Sequence, residues 1–193
     1  RGEDMTWEGP RGAPPKRGIS IRVAGDPAHG LLFAGYLLAE AALVDRRAIS
    51  HSPTLGSAAR GPLSGGALRI AGDPDEYPLV DAPECLLLTS AAALERFGPD
   101  LAPEGQLLVE ESLRGQAPAF AVALPLIQAA IDSGGTSLVL DLVASAVVTA
   151  ATGAVSRRAL YEAAGRLLPE RGRPAAFAAL DAGMEIGRSR FRV

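Results

Sequence analysis

The residues best placed to bind a charged ligand lie in a loop near the start of the chain. Residues Ala24-Gly25-Asp26-Pro27-Ala28-His29-Gly30 follow an alternating apolar run and precede a long apolar stretch, so they join a strand to a helix. A glycine-containing turn at such a position lets backbone N–H groups and the helix N-terminus face a phosphate. The candidate ligand-binding residues in this loop are Gly25, His29 and Gly30.

The same loop also permits a purely structural interpretation. Pro27 has no N–H to donate, and Asp26 places a negative charge where a phosphate would bind. Asp26 would then serve to cap the helix. On these residues alone, a strand-to-helix turn is favoured over a working nucleotide site.

A second polar loop, Ser57 to Gly66, contains one arginine among glycine and serine residues. Loops of this kind often carry binding groups, and Arg60 can hold a carboxylate or phosphate with two hydrogen bonds. An exposed surface arginine is the equally weighted alternative. The candidate ligand or interface residues here are Arg60, Gly61 and Ser64.

No catalytic residue is predicted. The chain has 2 histidines, and neither His29 nor His51 has a serine or carboxylate partner at a recognised spacing. Motifs for nucleophilic hydrolysis, zinc-dependent proteolysis and P-loop nucleotide hydrolysis do not occur in the sequence. This pattern predicts a supporting subunit rather than a self-contained hydrolase or NTPase.

No metal site is predicted either. The single cysteine, Cys85, lies in the apolar run Cys85 to Leu88 and is expected to be buried and inert. One thiol cannot supply the several ligands that an iron–sulfur cluster or a zinc ion requires. Any such cluster is therefore expected on a partner subunit.

Composition narrows the range of partners. The chain has 193 residues, the size of one domain, and a net charge of -3 with its 19 basic residues dispersed, so nucleic acid is not expected as a partner. The longest apolar stretch, Leu142 to Ala151, is too short to span a bilayer, and no signal-like segment opens the chain. The expected location is cytoplasmic.

The elements that must position the two loops follow from the apolar pattern. Residues 1–17 predict a flexible tail, and residues 18–193 predict one domain. Strands are expected at Ile19 to Ala24, Ala48 to Pro53, Ala67 to Ala71, Glu84 to Thr89, Gln106 to Val109 and Ala119 to Leu124. Helices are expected at His29 to Val44 and Ala91 to Phe97, and then at Leu126 to Asp132, Ser137 to Thr152, Ser156 to Leu168 and Pro174 to Arg188.

This alternation predicts an α/β fold with three layers, α/β/α. Parallel strands need crossover connections, so the central sheet is expected to be mainly parallel and Rossmann-like, with a helical C-terminal part. Ser156 is a suitable N-cap for its helix. Gly153 stands where a helix-terminating glycine belongs.

Taken in order, several segments resemble the γ subunit of 2-oxoacid:acceptor oxidoreductases of the ferredoxin type. Residues 21–25 and 30–42 are similar to that family's opening strand, its GxGGQG loop and its first helix. Residues 51–64 resemble its P-x-x-G-x-E-x-R-G-G-x-S segment, and residues 81–88 resemble its D-x-P-D-hydrophobic stretch. Residues 152–156 and 179–183 are similar to its helical end.

The resemblance implies a place in a complex that oxidatively decarboxylates a 2-oxoacid, usually to an acyl-CoA, and passes electrons to ferredoxin or a similar acceptor. Thiamine diphosphate, Mg²⁺ and iron–sulfur clusters are then expected on α, β and δ-type partner subunits, with coenzyme A as a possible ligand of this chain. The isolated chain is expected to be inactive.

Three departures from the family pattern bear on coenzyme A. The glycine-rich loop reads Gly25-Asp26-Pro27-Ala28-His29-Gly30, the glutamate before the arginine is Ala58, and the usual asparagine of the late helix aligns near Asp141. Given these departures, we expect either that the complex uses an unusual oxoacid or acceptor, or that the subunit has a purely architectural role. Two other functions remain open from the residues: a freestanding Rossmann-like nucleotide-binding protein and a non-enzymatic adaptor.

Overall fold

The computed structural model describes residues 18–29, 31–55, 63–70, 79–134 and 137–191, so the predicted tail lies outside the described residues. Six strands form one sheet in the order β2-β3-β1-β4-β5-β6. Their bounds are β1 Ile19–Gly25, β2 Ile49–Leu55, β3 Ser64–Ile70, β4 Cys85–Leu88, β5 Gln106–Glu110 and β6 Val122–Leu124.

The sheet is mainly parallel, as predicted. β1, β4, β5 and β6 pair in parallel, and β3 is antiparallel to both of its neighbours, β1 and β2. β2 therefore runs in the direction of β1, and β3 is the single reversed strand. Antiparallel neighbours need no helical crossover, so the short stretch of residues 56–63 is enough to connect β2 to β3.

β2 ends later and β3 begins earlier than predicted, and β3 includes the last residues of the glycine- and serine-rich loop. β3 already begins at Ser64, and Gly65 within it lies so close to β1 that a Cβ atom there would collide with the carbonyl oxygen of Val23 and come within 2.8 Å of the Cα of Ala24. Small residues are poor strand formers, so the sequence pattern gives little sign of a strand here. The close approach of two backbones explains the glycine.

Helices cover both faces of the sheet, as the three-layer prediction requires. Their bounds are α1 Leu32–Val44, α2 Ala91–Phe97, α3 Leu126–Asp132, α4 Ser137–Thr152, α5 Arg157–Leu167 and α6 Arg173–Arg190. On one face, a core is formed by helices α1, α3, α4, α5 and α6 together with strand residues such as Val23 and Leu87. The other joins α2 to residues such as Leu86 and Leu88, so β4 is buried on both faces and is apolar throughout.

The helical C-terminal part follows its predicted signals closely. Ser156 caps α5 by accepting a hydrogen bond from the N–H of Ala159 at 3.1 Å. Gly153 ends α4 with a φ of 61°, in the left-handed region. α6 packs closely on α4 because Gly183 carries no side chain: a Cβ atom there would collide with the carbonyl oxygen of Val143 and lie 2.7 Å from the Cβ of Ala146.

A pair of glycine substitutions tests this packing. Gly183→Ala should lower the free energy of unfolding by about 1–3 kcal/mol because it overpacks the contact between α4 and α6. Gly165→Ala in α5, where nothing lies within 4 Å of the added methyl group, should raise it by up to about 1 kcal/mol through helix propensity. Urea denaturation of the full chain measures both, and an unchanged midpoint for Gly183→Ala would contradict the close contact.

Candidate functional site at the carboxyl edge of the sheet

The neighbouring strands β1 and β4 send their following helices to opposite faces of the sheet. α1 after β1 packs in one core, and α2 after β4 packs in the other. In open α/β sheets this arrangement leaves a crevice at the carboxyl ends of the two strands, where ligands commonly bind. Gly25 ends β1 and Thr89 directly follows β4, so both lie at this crevice.

Gly25, Ser64 and Thr89 meet at this edge. Ser64 at the start of β3 pairs with Gly25 at the end of β1. A Cβ atom on Gly25 would collide with the Oγ1 atom of Thr89 and lie 3.1 Å from the side chain of Leu31. Gly25 is therefore required by close packing, and two of the predicted site residues, Gly25 and Ser64, are brought together.

Thr89 is a site residue that the sequence analysis missed. It is only 3% exposed, and its N–H donates to the carbonyl oxygen of Ala24 at 3.1 Å. Its Oγ1 atom is buried and has no hydrogen-bond partner among the described residues. A buried hydroxyl without a partner is uncommon and is available to a water molecule or a ligand. In the sequence, Thr89 only marks the end of an apolar run.

The remaining predicted site residues are less defined. Gly30, Arg60 and Gly61 lie outside the described residues, and so does the side chain of His29, whose backbone ends the 3-10 turn Pro27–His29. Asp26 caps this turn rather than α1, because its Oδ1 atom accepts the N–H of Ala28 at 2.8 Å.

The cap of α1 comes from a distant helix. Asp141 in α4 is 4% exposed, and its Oδ1 atom accepts the N–H of Ala34 at 2.7 Å. The N–H groups of Leu31 and Phe33 also act on this carboxyl group and lower its pKa. The residue that precedes α1, Leu31, has a left-handed φ of 69° and makes no side-chain cap of its own.

Asp141 therefore occupies the position in which a phosphate would contact the N-terminus of α1. Burial raises the pKa of Asp141 to about 7, and the three backbone N–H groups act in the opposite direction. The local sequence around α1 contains no sign of this cap, because the capping residue lies 107 positions further along the chain.

Other charged and reactive groups have structural roles. The guanidinium group of Arg22 lies 4.6 Å from the ring centroid of Phe97 and donates to the carbonyl oxygen of Val80 at 3.1 Å. Burial lowers the pKa of Arg22, which remains a cation. Cys85 is buried as predicted, and burial raises the pKa of its thiol to about 12, so it is unreactive.

The described residues do not fit a metal ion or cluster. Within them, no group of three or more His, Cys, Asp and Glu side chains could hold a metal, and Cys85 is a solitary thiol in an apolar core. None of the helices in this part of the chain has the length and apolar character needed to cross a membrane.

Comparisons with known proteins agree with this architecture. Residues 20–186 match the family described as pyruvate ferredoxin/flavodoxin oxidoreductase. The chain is 30% identical over 176 residues to the 2-oxoglutarate synthase subunit KorC of Methanothermobacter marburgensis, covering 86% of this chain and 95% of KorC. It is 31% identical over 94 residues to the ketoisovalerate oxidoreductase subunit VorA of Methanothermobacter thermautotrophicus, covering 49% of this chain and 20% of VorA.

A solved structure supports the same relationship. The γ subunit of a keto/oxoacid ferredoxin oxidoreductase from Geobacter sulfurreducens matches with a TM-score of 0.76 and 28% identity, over 89% of this chain and 99% of that one. The 2-oxoglutarate:ferredoxin oxidoreductase of Magnetococcus marinus shares the fold, with a TM-score of 0.75, 19% identity and coverage of 92% of this chain and 33% of that one.

The chain belongs to the pyruvate ferredoxin/flavodoxin oxidoreductase family. Its predicted assignment as a γ-type subunit of a 2-oxoacid:acceptor oxidoreductase is confirmed, in preference to a freestanding nucleotide-binding or adaptor protein. Enzymes of this family depend on thiamine diphosphate and iron–sulfur clusters. The donor set of the described residues fits neither an iron–sulfur cluster nor the metal that accompanies thiamine diphosphate.

The raised pKa of Asp141 predicts a specific pH dependence of stability. Its favourable contribution is complete below the ordinary value of 3.8 and is lost as pH rises through about 7. Asp141→Asn keeps an oxygen for the N–H of Ala34 but cannot ionise. We therefore expect the Tm of the wild type to fall relative to that of the variant as pH rises. The difference, variant minus wild type, should be larger at pH 8 than at pH 5 by about 3 °C or more.

Thermal denaturation of both proteins across this pH range measures the effect. Asp181→Asn, at an exposed position on α6, is the control for loss of a surface carboxylate. If the two aspartate variants show the same pH dependence, Asp141 is ionised in the fold throughout the range.

Proposed function

We propose that this γ-type subunit serves an enzyme that oxidatively decarboxylates a 2-oxoacid to an acyl-CoA and passes the electrons to ferredoxin or a similar acceptor. The observation that carries the proposal is the match to KorC, which covers 95% of that subunit and 86% of this chain. A relationship over nearly the whole length of both proteins supports an equivalent place in an equivalent complex.

The first substrate to test is 2-oxoglutarate. Four of the curated relatives are 2-oxoglutarate synthase subunits KorC, at 26–30% identity. The shorter matches to VorA make 2-ketoisovalerate the next candidate.

The partners in this proposal are α, β and δ-type oxidoreductase subunits, assembled in the cytoplasm. Thiamine diphosphate, Mg²⁺ and the iron–sulfur clusters are held by those partners. This distribution is supported by the donor chemistry of the described residues, where the sole thiol is buried and no set of metal ligands occurs. In this proposal, the chain is a structural component of the complex, and the carboxyl edge of its sheet contacts a ligand or a partner subunit.

The proposed contact region consists of the predicted residues Gly25, His29, Gly30, Arg60, Gly61 and Ser64. Gly25 and Ser64 pair at the carboxyl edge of the sheet, beside the unpartnered hydroxyl of Thr89. Because Asp141 engages the first N–H groups of α1, a phosphate of coenzyme A would depend on Arg60 and the loop amides. The same residues would otherwise serve as interface loops.

Assembly of the complex tests the proposal as a whole. Co-expression of the tagged full chain with the cognate larger subunits should yield a complex that contains thiamine diphosphate, absorbs broadly in the visible range and reduces ferredoxin with 2-oxoglutarate and coenzyme A. A colourless chain that purifies alone in the presence of those subunits would contradict the proposed function.

Arg60 offers a sharper test of the ligand contact. In the assembled enzyme, Arg60→Ala should raise the KM for coenzyme A at least about tenfold, as expected for loss of a charge-assisted contact with phosphate. Arg158→Ala is the matched control, because Arg158 is 89% exposed on α5 and should leave KM within twofold. An unchanged KM for Arg60→Ala would contradict a contact between Arg60 and coenzyme A and would leave the interface role as the alternative.

A further inference from the structure

The outer surface of α1 is apolar where a solvent-facing helix would be charged. α1 has one charged residue among its 13, Glu40, and that carboxylate is bound to Arg166 of α5 at 3.1 Å. Its exposed positions are instead Tyr36 and Leu43, which are 48% and 55% exposed. α5, by contrast, carries 4 charged residues among 11. A helix that is apolar all round is normally covered on all sides.

The strand beside α1 is uncharged and ends in an exposed apolar residue. β2 lies at one end of the sheet, and its sequence ISHSPTL contains no Lys, Arg, Asp or Glu. Leu55 at the end of β2 is 73% exposed, the largest value among the exposed large hydrophobic residues described. Free edge strands are usually protected by charges or covered by another element. In β2 the only such protection is Pro53, which has no N–H with which to pair to another strand.

Tyr36 is held in place between the two elements. Its ring meets the ring of His51 of β2 edge to face, with the centroids 4.8 Å apart. His51 in turn packs on two glycines: a Cβ atom on Gly35 would collide with its Nε2 atom, and a Cβ atom on Gly66 would lie 2.6 Å from it. An aromatic residue fixed before binding loses little entropy on docking, which favours a role as an interface anchor.

We infer that the α1–β2 surface, defined by Tyr36, Leu43 and Leu55 with the outer edge of β2, docks the larger subunit of the oxidoreductase complex. This inference rests on the proposed function. The choice of partner follows from VorA, in which the matching region makes up 20% of a longer chain. In that relative the matching segment is part of a much longer chain, so further polypeptide of the same protein is available to cover an apolar surface.

A charge-insertion experiment tests the surface. In the full chain, Leu43→Arg with Leu55→Arg adds two charges to the α1–β2 surface at positions that tolerate them in the free subunit. The control is Phe120→Arg with Ile131→Arg, at 66% and 58% exposure near β6, at the opposite end of the sheet. Binding of each purified double variant to the cognate larger subunit is measured by titration, and unfolding curves establish that both variants are folded.

The expected result is a Kd at least about tenfold higher for the first variant, since burying two unpaired charges is costly, with the control within twofold of wild type. Tyr36→Arg provides an independent single change with the same expected direction. Equal Kd values for the two double variants would overturn the inference. So would a Leu43→Arg, Leu55→Arg variant that loses only self-association, because a second copy of the chain would then be the occupant.

The two hypotheses fail in different ways. If the wild-type chain does not bind the larger subunit at all, the proposed function fails and the docking surface fails with it. If the wild type binds and the Leu43→Arg, Leu55→Arg variant binds equally well, only the docking surface is wrong.

Discussion

The carboxyl group of Asp141 determines where α1 begins, and the position of α1 determines much of the rest. By accepting the N–H of Ala34, this buried side chain joins the first helix to α4 across the main core. It thereby satisfies one of the backbone donors that are left without an intrahelical partner at the start of every helix. The cost is a carboxyl group held in an apolar interior. The gain is a helix whose first N–H groups are already engaged by Asp141. A ligand in the crevice beside β1 must therefore bind to groups other than the N-terminus of α1.

Most of the fold is predictable from sequence because its central strands are apolar throughout. Cys85 to Leu88 has only one reasonable interpretation, a strand buried on both faces, and the caps at Ser156 and Gly153 follow from local chemistry. The start of β3 was not predictable in this way. Ser64 and Gly65 become strand residues because a neighbouring backbone approaches closely, and that approach depends on tertiary structure.

The candidate site shows the same division. Gly25 and Ser64 are far apart in sequence, yet strand pairing places them together, and the pattern of a strand followed by a glycine loop was enough to select the first. Thr89 and Asp141 carried no local signal, because each matters through a contact with a distant element. Sequence reasoning therefore selected two residues that meet at the edge of the sheet, but it did not select Thr89 or Asp141 beside them.

The contacts of α1 with residues late in the sequence also constrain the order in which the protein can fold during synthesis. Its start is capped by Asp141, and at its end Asp45 accepts the N–H of Ser156 at 2.5 Å and the hydroxyl of Ser156 at 2.7 Å. Arg47 donates to the carbonyl oxygen of Ala154 at 2.6 Å. The last turn of α1 is closed locally, because the N–H groups of Asp45, Arg46 and Arg47 donate to its final carbonyl oxygens. Its first turn is not: during translation, the N–H of Ala34 must wait for residue 141 to leave the ribosome before it gains its partner. The nascent chain thus carries an apolar helix with an uncapped start while residues 45–140 are made.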